Sequence, residues 1–135
     1  MEPQNTKKER YFEVYYEMFK HEKFKGLSLN GIILYSMMAN QVGLSKRPEN
    51  VEKYTDAKGK TFILFTERQA KEKLGISKGT FFNLKKQLKE LKLIDYQEQA
   101  DKKKGVSTPI YVTPFETWKK VELEESIKFL LPDFY

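Results

Sequence analysis

Residues 66–112 read TERQAKEKLGISKGTFFNLKKQLKELKLIDYQEQADKKKGVSTPIYV. A short helix, a glycine turn, a second helix and a basic hairpin follow one another in them. Thr66 is suited to cap ERQAKEKL, whose inward residues are Ala70 and Leu74. Gly75 stands where a helix end needs positive φ, and Ser77 supplies the next cap. The two helices then cross at roughly 90–120°. The second runs to about Leu91. Its apolar residues Phe81, Leu84, Leu88 and Leu91 form one stripe. Gly79, Phe82, Asn83, Lys86 and Lys89 fall on the opposite face, with Lys78 and Lys85 on its flank.

That outer face has the chemistry of a reading helix, which enters the major groove N-terminal end first. Asn83 suits bidentate pairing with adenine, and Lys86 suits donation to guanine. Gly79 leaves room for close approach to a phosphate or base edge, while Ser77 and Thr80 can bond phosphates at the positive helix end. Phe82 has two readings: contact with a thymine methyl group, or packing against a neighbouring element. Two strands, Leu93–Gln97 and Pro109–Val112, flank Asp101-Lys102-Lys103-Lys104-Gly105. A hairpin with Lys102, Lys103 and Lys104 at its tip, directly after a recognition helix, reads as a DNA-contacting wing. The fold expected is α+β, a winged helix-turn-helix with a small antiparallel sheet.

Upstream, Ser28 caps an apolar helix, LNGIILYSMMANQV, with Leu29, Ile32, Ile33, Tyr35 or Ser36, and Met37 on one side. Leu34 and Met38 widen that face enough to place the helix centrally. VEKYTDAKGKTFILF reads as a hairpin, with strands Val51–Tyr54 and Thr61–Phe65 and turn chemistry at Asp56–Gly59. YFEVYYEMF, residues 11–19, reads as a strand, a helical turn or both. Residues 1–10 read as a disordered tail, 11–118 as the winged-helix domain, and 119–135 as a C-terminal helix or linker.

The bulk numbers bound the function. The 135 residues suffice for one core, and the net charge of +6 is compatible with an anionic partner. The charge is uneven: residues 61–113 hold 11 basic and 6 acidic side chains, whereas 114–135 hold 3 and 5. Cysteine is absent, so disulfides, iron–sulfur clusters and thiolate zinc sites are excluded. His21 is the only histidine, set in a charged stretch and expected to be solvated. No nucleophile–base arrangement, P-loop or dinucleotide fingerprint is present, so neither an enzyme, a cofactor, a metal nor a small-molecule substrate is expected. No apolar run approaches membrane-spanning length, and a cytoplasmic protein is expected. Trp118 reads as a core or interface anchor.

Three blocks carry a resemblance to a known family: YFEVYYEMF at 11–19, FKHEKFKGLSLNGIILYSMM at 19–38, and GKTFILFTERQAKEKLGISKGTFFNLKKQLKELKLI at 59–94. Within residues 11–96 the chain resembles the N-terminal domain of the RepA family of plasmid replication initiators, and the EKFKGLS block is the most telling part. The resemblance implies a winged helix that binds double-stranded DNA at repeated sites of a plasmid origin and helps recruit host replication proteins. It also implies a longer protein with a further C-terminal domain. Lys85 departs from the pattern, standing where such helices commonly carry an apolar residue. A winged-helix transcriptional regulator shares every DNA-binding feature, and a winged-helix interaction module in primosome assembly is a third reading. Finally, Tyr11, Phe12, Tyr15, Tyr16 and Phe19 put much aromatic surface into nine residues, which points to a homodimer interface. The helix around Val121–Leu131 is the alternative surface.

Overall fold

A computed structural model describes residues 10–98 and 108–130. The tail expected over residues 1–10, apart from Arg10, and the loop lysines Lys102, Lys103 and Lys104 lie outside the described residues. Four helices carry the domain: α1 (Leu29–Ser45), α2 (Glu67–Leu74), α3 (Lys78–Glu90) and α4 (Phe115–Leu130). Two short strands, β1 (Ile94–Asp95) and β2 (Tyr111–Val112), pair antiparallel with Ile94 opposite Val112 and Asp95 opposite Tyr111. This is the α+β winged-helix arrangement. Among the described residues no helix is long and apolar enough to cross a membrane.

The helix ends form where local chemistry satisfies their unpaired N–H groups. The Ser28 hydroxyl accepts from Gly31 N at 3.2 Å, and the Ser77 hydroxyl from Thr80 N at 3.2 Å. Thr66 and Gln69 make a reciprocal capping box, each side chain accepting from the other's backbone N–H. Gly75 ends α2 with φ 69°, in the left-handed region that costs glycine little. Ala70 is fully buried at the crossing of α2 and α3.

α1 runs through the middle. Ile32, Leu34, Tyr35 and Met38 are all buried, over nearly half of the helix circumference. Leu29, expected on the apolar face, is exposed instead. Buried polar groups are matched. The Ser36 hydroxyl donates to the Ile32 carbonyl at 2.8 Å. The Tyr35 hydroxyl donates to the Thr113 carbonyl at 2.6 Å, tying α1 to the start of α4. Burial pushes the Tyr35 phenol far above its ordinary pKa.

Gly31 lies where α1 meets its own entry loop and α3. A Cβ there would stand 2.8 Å from Leu27 Cγ and 3.3 Å from Leu84 Cδ2, both in buried side chains. Overpacking of this kind costs about 1–3 kcal/mol. Gly31→Val is therefore expected to lower the urea midpoint, and an unchanged midpoint would show that Leu27 moves aside freely.

The first hairpin closes around its expected turn, where Phe62 N donates to the Tyr54 carbonyl and Asp56 N to the Lys60 carbonyl, but its first strand is corrected. Val51–Tyr54 is a run of turns, with Val51 N donating to the Arg47 carbonyl and Tyr54 N to the Asn50 carbonyl. Val51 is exposed, so no apolar face draws the segment into a sheet, and the Asn50 side chain bonds back to the Leu44 carbonyl. What remains is a strap over residues 55–61, closed by a bridge between Thr55 and Thr61. Beyond it, Ile63 forms one bridge with Ile110, both fully buried, beside the β1–β2 pair.

At the other edge of the core, Trp118 stacks on Phe115 with the rings 5.8 Å apart and 8° from parallel. Its indole N–H donates to the Leu91 carbonyl at 2.7 Å. The expectation of a solvated His21 is also corrected. Its ring packs edge-on to Trp118 at 5.1 Å, and its Nδ1 accepts from Lys23 N, because the 3-10 turn Glu22–Phe24 that it caps folds against α4.

Candidate nucleic-acid interface

The outer face of α3 begins at the Ser77 cap. Ser77 and Thr80 are joined hydroxyl to hydroxyl at 3.0 Å on the exposed N-terminal end. Lys78 is exposed and reaches across the turn to Glu67 at 3.8 Å. Gly79 faces open space: a Cβ there would meet nothing within 4 Å. Asn83 and Lys86 follow on the same side, both exposed. These six residues therefore lie together on an accessible surface, as the helical spacing predicts.

Two lysines lie elsewhere than expected. Lys85, placed on an open flank from the sequence, is 8% exposed. Its stem lies between aromatic side chains, with Nζ 4.5 Å from the Tyr96 ring centroid, 5.3 Å from Phe81 and 5.5 Å from Phe82. Lys89 turns toward β1, where Nζ donates to the Tyr96 carbonyl at 2.5 Å and lies 3.9 Å from Asp95. It braces the strand that leads into the basic loop. Phe82 is half-buried, its ring 5.7 Å from Phe81, and it lines an open groove of about 290 Å³ with Asn83 and Lys86. Tyr96, Gln97, Glu98 and Thr108 form the opposite wall of that groove. Sequence reasoning did not single these residues out; the apolar–polar alternation at the end of Leu93–Gln97 signals Tyr96 and Gln97, and nothing signals Glu98 or Thr108.

Beyond Tyr96 and Gln97 lies the strap. Asp56 Oδ1 accepts from Lys58 N at 2.9 Å and Lys60 N at 2.8 Å, and its Oδ2 accepts from the Tyr111 hydroxyl at 2.7 Å. These donors, led by the Lys60 N–H, hold the Asp56 carboxyl below the usual carboxylate range. The same carboxylate pushes the Tyr111 phenol up.

The aromatic segment expected to form a dimer interface is divided. Tyr15 packs on Phe115 at 4.7 Å, and Phe12 is half-buried. Tyr11, Tyr16 and Phe19 are 84%, 70% and 52% exposed. Within the segment that reads as a strand, a helical turn or both, residues 16–19 adopt a helical turn, which buries Met18. Val121, Leu123 and Ile127 are exposed along α4.

No curated protein matches the chain. Three solved structures share its fold. One, described as the structure of a Rep–DNA complex, has a TM-score of 0.59 at 20% identity over 87% of this chain and 88% of that one. The N-terminal domain of a DNA-binding protein gives the same values. An MDR initiator structure has a TM-score of 0.59 at 17% identity, covering 87% of this chain and 91% of that one. Residues 10–125 match the family described as replication initiator protein A (RepA) N-terminus. The match takes in both walls of the α3 groove, and the chain belongs to the RepA N-terminal family of replication initiators.

Proposed function

We propose that this domain binds double-stranded DNA sequence-specifically at the repeated sites of a plasmid origin and so starts plasmid replication. The observation that carries the reading is the outer face of α3, where Gly79 stands exposed and the exposed Asn83 and Lys86 line a groove walled by the segments that flank the basic loop. In this reading Asn83 and Lys86 address base edges, and Phe82 offers its ring edge to a thymine methyl group. Ser77, Lys78 and Thr80 hold phosphates at the helix end. Lys89 steadies the root of the wing, and Lys102, Lys103 and Lys104 meet the backbone from its tip. Two copies would pair through Tyr11, Phe12, Tyr16 and Phe19, with Tyr15 acting from beneath, so that repeated sites are occupied together. Host replication proteins would then join the assembled complex. Titration of the domain on a duplex carrying origin repeats, against a scrambled duplex of equal length, tests the reading. Equal affinity for both would overturn it.

Gly79 gives a sharper test. Glycine inside an exposed helix is less favourable than alanine by up to about 1 kcal/mol. Gly79→Ala is therefore expected to raise the melting temperature slightly, since the added methyl group meets nothing in the free protein. It is expected at the same time to weaken DNA binding severalfold, by holding the helix off the duplex. A variant that is more stable and binds equally well would mean that the backbone at Gly79 does not approach DNA.

A further inference from the structure

We propose that the strap over residues 55–61 is a second phosphate-contacting loop, holding Lys58 and Lys60 against the DNA backbone on the side of the wing away from α3. The inference rests on the DNA-binding reading of α3. Its starting point is position. Tyr96 and Gln97 form one wall of the groove beside Asn83 and Lys86, and the same two residues form a wall of a second groove, of about 390 Å³, beside Asp56, Lys58 and Lys60. The segment that continues β1 therefore stands between the recognition helix and the strap. A duplex seated on α3 and extending past the wing meets the strap next.

The strap is also built to be held still. Asp56 gathers two backbone N–H groups of its own loop and the Tyr111 hydroxyl of β2, 55 residues away. Asp56 N donates to the Lys60 carbonyl, and Gly59, at φ 81°, lets the chain turn back. Lys60 Nζ lies 5.3 Å from the Tyr111 ring centroid, so its stem follows the same anchor. Two ammonium groups on a fixed loop lose less entropy on meeting phosphates than two on a mobile one.

The groove pairs two lysines with two carboxylates, and the four groups differ in how firmly they are held. The groove contains two carboxylates, but Asp56 is engaged by three donors and Asp95 lies 3.9 Å from Lys89. Lys58 and Lys60 are exposed, and among the described residues neither has a carboxylate within ion-pair distance. The exposed ammonium groups, and not the latched Asp56 carboxylate, are therefore the groups that can turn to meet a phosphate. Because these lysines face backbone rather than base edges, they add affinity without sequence preference.

The test measures binding of the full chain to the origin-repeat duplex and to the scrambled duplex at several salt concentrations. Lys58→Gln/Lys60→Gln is expected to weaken both complexes by the same factor and to reduce the salt slope by about 1.8, or 0.9 for each phosphate that a lysine neutralises. Tyr111→Phe, which keeps the ring and both lysines but releases the latch, is expected to give a smaller loss on both duplexes. An unchanged slope in the glutamine variant, in a chain whose base preference still depends on Asn83, overturns the strap and leaves the α3 reading standing. A loss confined to the origin duplex overturns it too, because it would assign the strap to base reading. No preference between duplexes in the unaltered chain overturns the reading on which it rests.

Discussion

Trp118→Ala is expected to lose about 3–5 kcal/mol of folding free energy, the range for truncating a buried large aromatic. The indole is almost wholly enclosed, stacked on Phe115 and within 4.8 Å of the Phe24 ring, and it satisfies the Leu91 carbonyl where α3 ends. Truncation opens a cavity among three elements at once: the Glu22–Phe24 turn, the end of α3 and α4. It also leaves a carbonyl without its donor. Trp118→Phe keeps most of the apolar volume but loses the hydrogen bond and part of the ring, so a smaller loss of about 1–3 kcal/mol is expected. Urea unfolding followed by circular dichroism separates the two. A midpoint unmoved by Trp118→Ala would mean that α4 is an appendage and that the core closes without it. The expected result matters for where the domain ends. The sequence places a boundary at residue 118, yet α4 continues past it, and Lys119 and Glu122 pair with Glu17 at 3.0 Å and Lys23 at 2.6 Å. Those pairs, each with one exposed and one half-buried partner, add little by themselves. The ring contacts anchor the helix.

Local chemistry is legible in the sequence and distant partnership is not. Thr66, Gly75, Ser77 and Ser28 reveal helix ends because a cap acts within three residues of itself. The stripe Phe81, Leu84, Leu88 is buried as its spacing requires, and its opposite side leaves Asn83 and Lys86 in the open. Lys85 sits about 80° from the middle of that stripe, at a border where helical geometry alone decides nothing. Its burial follows from Tyr96, eleven residues on, whose ring covers it. The packing of His21 and Tyr15 is hidden for the same reason: their partners Trp118 and Phe115 lie about a hundred residues further along the chain. The strap shows both sides. The Asp56–Gly59 turn is readable from its residue types, but the pairing of Asp56 with Tyr111 is not. Without that pairing the segment reads as an ordinary hairpin.

Reading and anchoring by the proposed interface are expected to separate under mutation, and this is the largest functional effect. Asn83→Ala removes a side chain with a donor and an acceptor in fixed geometry, the arrangement that distinguishes adenine from other bases. About 1–3 kcal/mol of discrimination should vanish at one position of the site, while affinity for scrambled DNA stays nearly unchanged. Lys86→Ala should do the same at another position. Replacing Lys102, Lys103 and Lys104 together by alanine should act differently, weakening specific and scrambled duplexes alike. The salt slope should fall by about 0.9 for each phosphate no longer neutralised, or about 2.7 if all three lysines meet one. The contrast follows from chemistry. Phosphates repeat identically along a duplex, so charges that meet them carry no sequence information, whereas base edges differ at every step. The two classes of variant must therefore differ in kind as well as size. If the triple variant leaves the salt slope unchanged, the basic loop is not a wing that touches DNA. If Asn83→Ala weakens all duplexes equally, α3 lies along the backbone instead of in the groove.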